Sequence, residues 1–321
     1  VLRILRGLLL LLPLVWLVKR LDLRGIAAGM EQVGAPRLAL GLAIQVLLSL
    51  VVSVRWRILL STYHSTRLPS LGALYRANLV ANYLGLVPVP AADEGVRVAR
   101  TLDAFPPGSP FPWLVLVIER ICGLVGLLLL PPLASLLAQT SLDRTASRAL
   151  LVGSLVACGL SLPALILPSL LARRPHWRPH VARLPLVGSS LAQLAPPARS
   201  FDLLLAVLIS ALGHLGSCVV IAVLFAPIDV HASLAVCVRV QPIVLLAMAF
   251  PLTPGGVGQR ELAFAALYGL ASVLPTHAVT VALLSFALAL LHAAVGGLVY
   301  AFERALTRKR ARAAFVDESD T

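Results

Sequence analysis

Charge is scarce in this chain. Asp, Glu, Lys and Arg make up 13% of its 321 residues, apolar residues make up 59%, and the mean hydropathy is +0.92. A soluble domain carries roughly 25% charged residues, so a water-soluble globule is excluded and an integral membrane protein is implied, with room for one compact bundle. Cysteine is scarce too. Cys122, Cys158, Cys218 and Cys237 each fall inside an apolar run, and none belongs to a CxxC. They read as small hydrophobes, neither a disulfide frame nor a metal site. A Ser-His-Asp set, paired catalytic carboxylates, a metal-binding acidic motif and a cofactor fingerprint are all missing, so neither enzyme activity nor a metal or cofactor is expected. His176 and His180 have i,i+4 spacing, but Pro175 and Pro179 oppose the helix that this spacing needs.

Acid is the scarcer sign, with 14 acidic residues against 27 basic ones and a net charge of +13. In a soluble protein that would suggest nucleic acid. Here the basic residues lie mostly in short loops between apolar runs, where they set topology and attract anionic lipid, so no nucleic-acid partner is expected. The densest clusters are residues 173–183 (RRPHWRPHVAR) and the tail after the last span. The positive-inside rule places both in the cytoplasm, and counting back puts the N-terminus there as well, in a multi-pass protein of the cell membrane. The opening VLRILRGLLLLLPLVWLVKRL is basic then apolar, like a signal peptide, but has no small-residue cleavage site. It reads as an uncleaved first span, short enough that the true start could lie upstream.

Apolar runs at 8–18, 38–54, 113–137, 150–171, 203–225, 234–250, 262–274 and 279–302 suggest about eight membrane-crossing segments, with a polar connection over 19–37. The stretch 71–96 is different. It is apolar enough to enter a bilayer, yet it holds Arg76, Asn78, Asn82, Pro88, Pro90, Asp93 and Glu94. It reads as a re-entrant hairpin broken near 86–92, since irregular backbone at depth survives only under protein cover or beside a wet cavity. A second break lies at Phe250-Pro251-Leu252-Thr253-Pro254-Gly255-Gly256-Val257-Gly258-Gln259-Arg260-Glu261. The flanking apolar runs are short, so they could form a second hairpin. The two breaks are alike in kind and leave room for an internal pseudo-repeat. The fold class is therefore an all-α polytopic membrane protein with one or two re-entrant broken helices. Residues 1–303 form a single transmembrane domain, and 304–321 a basic then acidic cytoplasmic tail.

Broken helices with charge at membrane depth are how many transporters receive a polar group. Glu94 and Arg97 share a helix face, Glu119-Arg120 lies inside a span, and Arg260-Glu261 opens a helix. These charges either pair to lock helices together or line a cavity that meets a lipid headgroup. Asn78 and Asn82 share a face and could bond across helices or to substrate. Gly255, Gly256 and Gly258 precede a helix whose free N–H groups could meet an anion, although a tight turn explains them equally. The glycine run is neither a P-loop nor a GxGxxG. His214, His277 and His292 are isolated in sequence and default to packing or interfacial roles.

Three ordered stretches also carry a resemblance. Pro254-Gly255-Gly256-Val257-Gly258-Gln259-Arg260-Glu261 resembles the PGGxGxxE signature of the lysylphosphatidylglycerol synthase transmembrane-region family. Asn82, Pro88 and Glu94-Gly95-Val96-Arg97 are similar to that family's N…P…GGD/E-x-x-R stretch. Glu119-Arg120-Ile121-Cys122-Gly123-Leu124 is similar to its ERxxGL stretch. The family's Gly-Gly before the acid is here Ala92-Asp93, which adds a carboxylate and bears on substrate more than on fold. The resemblance implies a flippase-like module that moves a polar-headed lipid: an aminoacyl-phospholipid, a glycolipid or a polyprenyl-linked lipid. The soluble aminoacyl-transferring domain of the best-understood members is expected to be missing, because the chain ends about twenty residues after its last span. The expected partner is a membrane lipid with a polar or phosphate-containing headgroup. Arg97 and Arg260 are the expected phosphate ligands, with Glu94 and Glu261 holding them or meeting a cationic headgroup. Two other functions fit the same residues: a scaffold for a lipid-biosynthesis enzyme, and a lipid-modifying transferase.

Overall fold

The computed structural model describes residues 22–62, 68–85, 92–102, 105, 111–137, 142–172, 176, 178–181, 200–249, 256 and 258–319. The expected first span at 8–18, the tip of the first break at 86–91, and Pro254 and Gly255 lie outside these residues. The described chain is all-helical: α1 (Leu23–Thr62), α2 (Leu71–Leu84), α3 (Ala92–Ala99), α4 (Phe111–Leu128), α5 (Leu130–Leu137), α6 (Arg144–Ala172), α7 (Arg178–Val181), α8 (Ser200–Phe225), α9 (Leu234–Met248), α10 (Gln259–Gly269) and α11 (Pro275–Ser319). Among the described residues, five helical stretches are long and apolar enough to cross a membrane: Leu23–Thr62, Trp113–Leu136, Arg144–Ile166, Phe201–Phe225 and Pro275–Leu306. The protein is a polytopic membrane bundle.

Two boundaries differ from the sequence expectation. The polar connection over 19–37 is helical from Leu23 onward. Ile26, Gly29 and Val33 recur at helical spacing and are buried, so this segment has a face to pack. The helix is kinked at Gly34, two residues before Pro36, where a φ of 66° suits a residue without a Cβ. The runs 234–250 and 262–274 do not each cross the bilayer. They fold as α9 and α10, of 15 and 11 residues. The longer is about 22 Å, well short of a hydrocarbon core of about 30 Å.

Side-chain contacts at the two ends of α11 decide how the short helices run. Arg76, in the second turn of α2, and Arg100, just past α3, both donate to Glu303 of α11, at 3.2 and 2.7 Å. The pair α2–α3 therefore enters and leaves at one end of the bundle, as a re-entrant hairpin does. At the other end Asp229, in the turn before α9, accepts from Leu274 N, just after α10, at 3.3 Å and from His277 of α11 at 3.0 Å. The pair α9–α10 enters and leaves there. The two hairpins thus come in from opposite ends. His277 and Glu303 are 26 residues apart on one helix, about 39 Å, close to the roughly 40–45 Å of a bilayer with its headgroup regions.

Small residues bring the helices close enough for this arrangement. Gly296 of α11 lies against the Leu79 carbonyl of α2, and Gly297 lies against the Tyr83 ring. Gly126 of α4 sits so near α8 that a Cβ would come 2.7 Å from Ala211 N. Membrane helices use this small-residue contact because water drives no burial between them.

Candidate functional site

Described residues that flank both breaks line one cavity of about 790 Å³. Asn82, Gly85 and Asp93 of the first hairpin line one side of it, and Leu245 and Ala249 of the second line another. The walls between are supplied by α1, α4, α8 and α11.

The most buried charges of the cavity form a triad. Glu119 of α4 has a side chain only 1% exposed and bonds Arg55 of α1 through one carboxylate oxygen and Arg97 of α3 through the other, each at 2.6 Å. Arg97 also lies over the Trp56 ring, 4.4 Å from its centroid. Arg55 donates to Ser210 of α8 at 2.7 Å as well. Two guanidinium groups on one carboxylate leave a net positive charge away from water. Nε of Arg55, Nε of Arg97 and Oε1 of Gln45 are also buried there without a protein hydrogen-bond partner. The two arginine Nε groups are unmet donors beside an excess positive charge and suit an anionic oxygen, whereas Oε1 of Gln45 is an acceptor.

The next residue on α4 begins a second cluster of opposite sign. Arg120 pairs with Glu94, and with Asp93 at 3.4 Å. Two carboxylates meet one guanidinium, so this cluster carries a net negative charge and is more exposed than the triad. Consecutive residues point about 100° apart around a helix, so α4 divides the cavity into a positive and a negative side. Uncharged polar groups complete the lining. His292 Nε2 lies 2.9 Å from Ser49 Oγ, Asn78 Nδ2 donates to Ser49 O at 3.4 Å, and His214 Nε2 lies 3.1 Å from Gly123 O.

The structure thus brings together Asn82, Glu94, Arg97, Glu119 and Arg120, five of the residues singled out in the sequence. It pairs them differently from the expectation: Glu94 holds Arg120, and Glu119 holds Arg97. Among the described residues of the second motif, Gly256, Gly258, Arg260 and Glu261 do not line the cavity. Arg260 lies with its guanidinium 4.6 Å from the Phe286 ring centroid, and its Nη1 is buried without a hydrogen-bond partner. Glu261 accepts from Gly258 N at 2.6 Å and so closes the first turn of α10. Gly256 and Gly258 have φ of 70° and 79°, and a Cβ on Gly256 would collide with Met248. Their glycine identity is thereby accounted for by the turn itself.

Arg55, Gln45, Ser49, Ser210, His214 and His292 were not singled out as site residues. Arg55 follows the apolar run 38–54 and looked like a span-closing charge. Its signal was the continuation of helical residues beyond it, through Leu59 and Leu60, both fully buried.

A family model described as the lysylphosphatidylglycerol synthase TM region matches residues 3–296. No curated protein and no solved structure matches. The chain belongs to that family.

Proposed function

We propose that this member of the lysylphosphatidylglycerol synthase TM-region family moves a phosphate-bearing, polar-headed lipid between the leaflets of the cell membrane, with the headgroup passing through the cavity between the two hairpins. The observation that carries this reading is the Arg55–Glu119–Arg97 triad, a buried net positive charge with unfilled donors. A phosphodiester supplies one negative charge and acceptor oxygens that guanidinium groups can meet in pairs. Ionisable groups at membrane depth are costly and usually serve an ion or substrate path. The negative side, at Asp93 and Glu94, offers acceptors to headgroup hydroxyls or to an ammonium.

Arg97 is the arginine suited to exchange. It sits on the short hairpin helix α3, and Arg55 alone still neutralises Glu119 when Arg97 turns to phosphate. By the positive-inside rule the Glu303 end, from which α11 continues into the basic tail, faces the cytoplasm.

Native mass spectrometry of gently extracted protein tests this. The wild type should retain one phospholipid or phosphate-linked lipid class above the bulk lipids. Arg97→Ala should lower that occupancy about 10- to 100-fold, the loss expected for one charge-assisted hydrogen bond, while eluting as folded protein. Reconstituted with the lipid so identified, the wild type should move it between leaflets and Arg97→Ala should not. Bulk lipids only, unchanged in Arg97→Ala, would overturn the proposal and leave the triad as a helix lock.

A further inference from the structure

The face of the bundle formed by α4, α6 and α8 carries a second cavity, a slot of about 440 Å³. Among the described residues its lining is apolar throughout, with no charge, hydroxyl or amide. The floor is buried and is formed by residues such as Val125 of α4, Leu165 of α6 and Val207 of α8. The rim is open, with Leu162 and Ile166 of α6 and Leu204 of α8 exposed. The slot exists because α6 packs along α4 and, among the described residues, has no comparable packing on α8.

We propose that this slot holds one acyl chain of a resident phospholipid, in a lipid site separate from the headgroup cavity. The two cavities share α4 and α8 as walls but no described lining residue. Between them Gly126 lies so close to α8 that a Cβ would come 2.7 Å from Ala211 N and 2.9 Å from Val207 O. A lipid whose headgroup meets Arg55 and Arg97 therefore cannot pass its own tail through the α4–α8 contact into the slot. The site needs only the membrane bundle and stands whether or not the protein moves lipid.

Position and length single out an acyl chain. Both α6 and α8 have the length and hydropathy of membrane spans, so the open rim faces hydrocarbon. It continues from Leu204 into Leu208 and Leu212, exposed leucines every four residues along α8. Asp202, in the first turn of α8, accepts from Thr62, the last residue of α1, at 2.9 Å. The next helix, α2, carries Arg76 to Glu303, so the slot opens at the Glu303 end. Along α6 it runs from Leu170, in the last turn, back to Cys158, a rise of about 18 Å. One leaflet of a hydrocarbon core of about 30 Å is about 15 Å deep. The slot thus matches the reach of a single chain entering from that end.

Width decides against a helix as the occupant. A volume of about 440 Å³ over about 18 Å is a cross-section of about 24 Å², whereas a helix about 10 Å across needs roughly 80 Å². Lipid tails are as apolar as leucine, so the preference for the slot comes from packing and owes nothing to transfer from water. A chain on the outer surface of a span touches one helix, and a chain in the slot touches three. Each further carbon–carbon contact adds dispersion energy, and walls that face a gap forfeit it. The chain braces α6 against the α4–α8 pair, beside the wall from which Ser210 meets Arg55.

Photo-crosslinking in nanodiscs tests the site without a transport assay. The probe is phosphatidylcholine with a diazirine midway along one acyl chain, and adducts are assigned to residues by mass spectrometry. In the wild type, adducts at Leu165, Ile166 and Val207 should exceed those at Leu160 and Leu212, which are exposed on the same two helices outside the slot. The expected excess is about fivefold, the ratio that some five to ten further dispersion contacts supply. Leu162→Trp, which puts an indole into the slot from its rim, should abolish the excess, and Ile166→Trp should do the same if the first variant does not fold. Leu160→Trp should leave it unchanged. Arg97→Ala should leave it unchanged too, because the two lipids are separate. No excess in the wild type would mean that another segment or a second copy of the chain covers the slot, and overturns the proposal. An excess that survives in a folded slot-filling variant also overturns it. An excess lost in Arg97→Ala would assign the chain to the lipid of the headgroup cavity and overturn the separate site. A slot excess in protein that moves no lipid keeps the site and sinks the transport reading instead.

Discussion

Glu119→Ala is expected to remove most of the folded protein from the membrane. The substitution leaves Arg55 and Arg97 in one low-dielectric pocket with the carboxylate that held both at 2.6 Å gone. Breaking a buried ion pair from one side costs about 3–5 kcal/mol, and here two cations are stranded by one change. Arg97→Ala should be far milder, because Arg55 and Glu119 remain as a neutral pair. Glu119→Gln keeps the shape but not the charge and should fall between the two. The expected order of unfolding free energy, measured by steric trapping in bicelles, is wild type, Arg97→Ala, Glu119→Gln, Glu119→Ala. Removing Arg97 together with Glu119 should recover part of the loss, since only one unpaired cation remains. If Glu119→Ala proves no less stable than Arg97→Ala, the triad is not the electrostatic centre described above. The same series separates folding from function: Arg97→Ala should stay folded and lose lipid, whereas Glu119→Ala should lose both.

Gly296→Ala should disturb the first hairpin more than any other single-methyl change among the described glycines of α2, α3 and α11. The new Cβ would overlap the Leu79 carbonyl, which is backbone and has no rotamer to yield, and Gly297 beside it already touches the Tyr83 ring. The helices α2 and α11 must move apart, at a cost of about 1–3 kcal/mol for overpacking. The movement lifts α2 and, through Glu303, strains the bonds to Arg76 and Arg100. Thermal unfolding in detergent and lipid retention should both fall. Gly95→Ala is the internal control. It lies on α3 with open space around its Cβ position, so its effect should stay within about 0.5 kcal/mol. Equal losses from the two substitutions would show that the α2–α11 contact is not tight.

Much of the fold is legible in the sequence because the bilayer imposes a simple rule on it. Stretches such as 203–225 and 279–302 are long and apolar, and they form helices that cross. The hairpin at 71–96 is legible for the opposite reason, because Asn78, Asn82 and Asp93 have no place in a smooth span. The second hairpin was visible only as an alternative, since the length of α9 alone does not say whether it turns back. Its direction came from Asp229, an acid in the eight-residue connection between α8 and α9 that meets Leu274 and His277 more than forty positions away.

The candidate site divides along the same line. Glu94, Arg97, Glu119 and Arg120 announced themselves because each is a charge inside an apolar stretch, and that oddity is local. The ordered motifs around them also carried the family, which the match over residues 3–296 bears out. Their partners were not legible. Arg55 resembled an ordinary span-closing arginine until the packing of α1 against α4 and α8 closed over it. His214 and His292 were indistinguishable from packed histidines until the helices placed them on one cavity. Arg260, prominent in the sequence, lies against Phe286 instead. The sequence by itself determined which residues are too polar for the bilayer and that they must be covered, because the cost of exposing charge to hydrocarbon is paid residue by residue. Only the tertiary structure decided which charge answers which, because pairing depends on the angles and depths at which separate helices cross, and those are set by contacts such as Gly296 on Leu79 and Gly126 on Ala211.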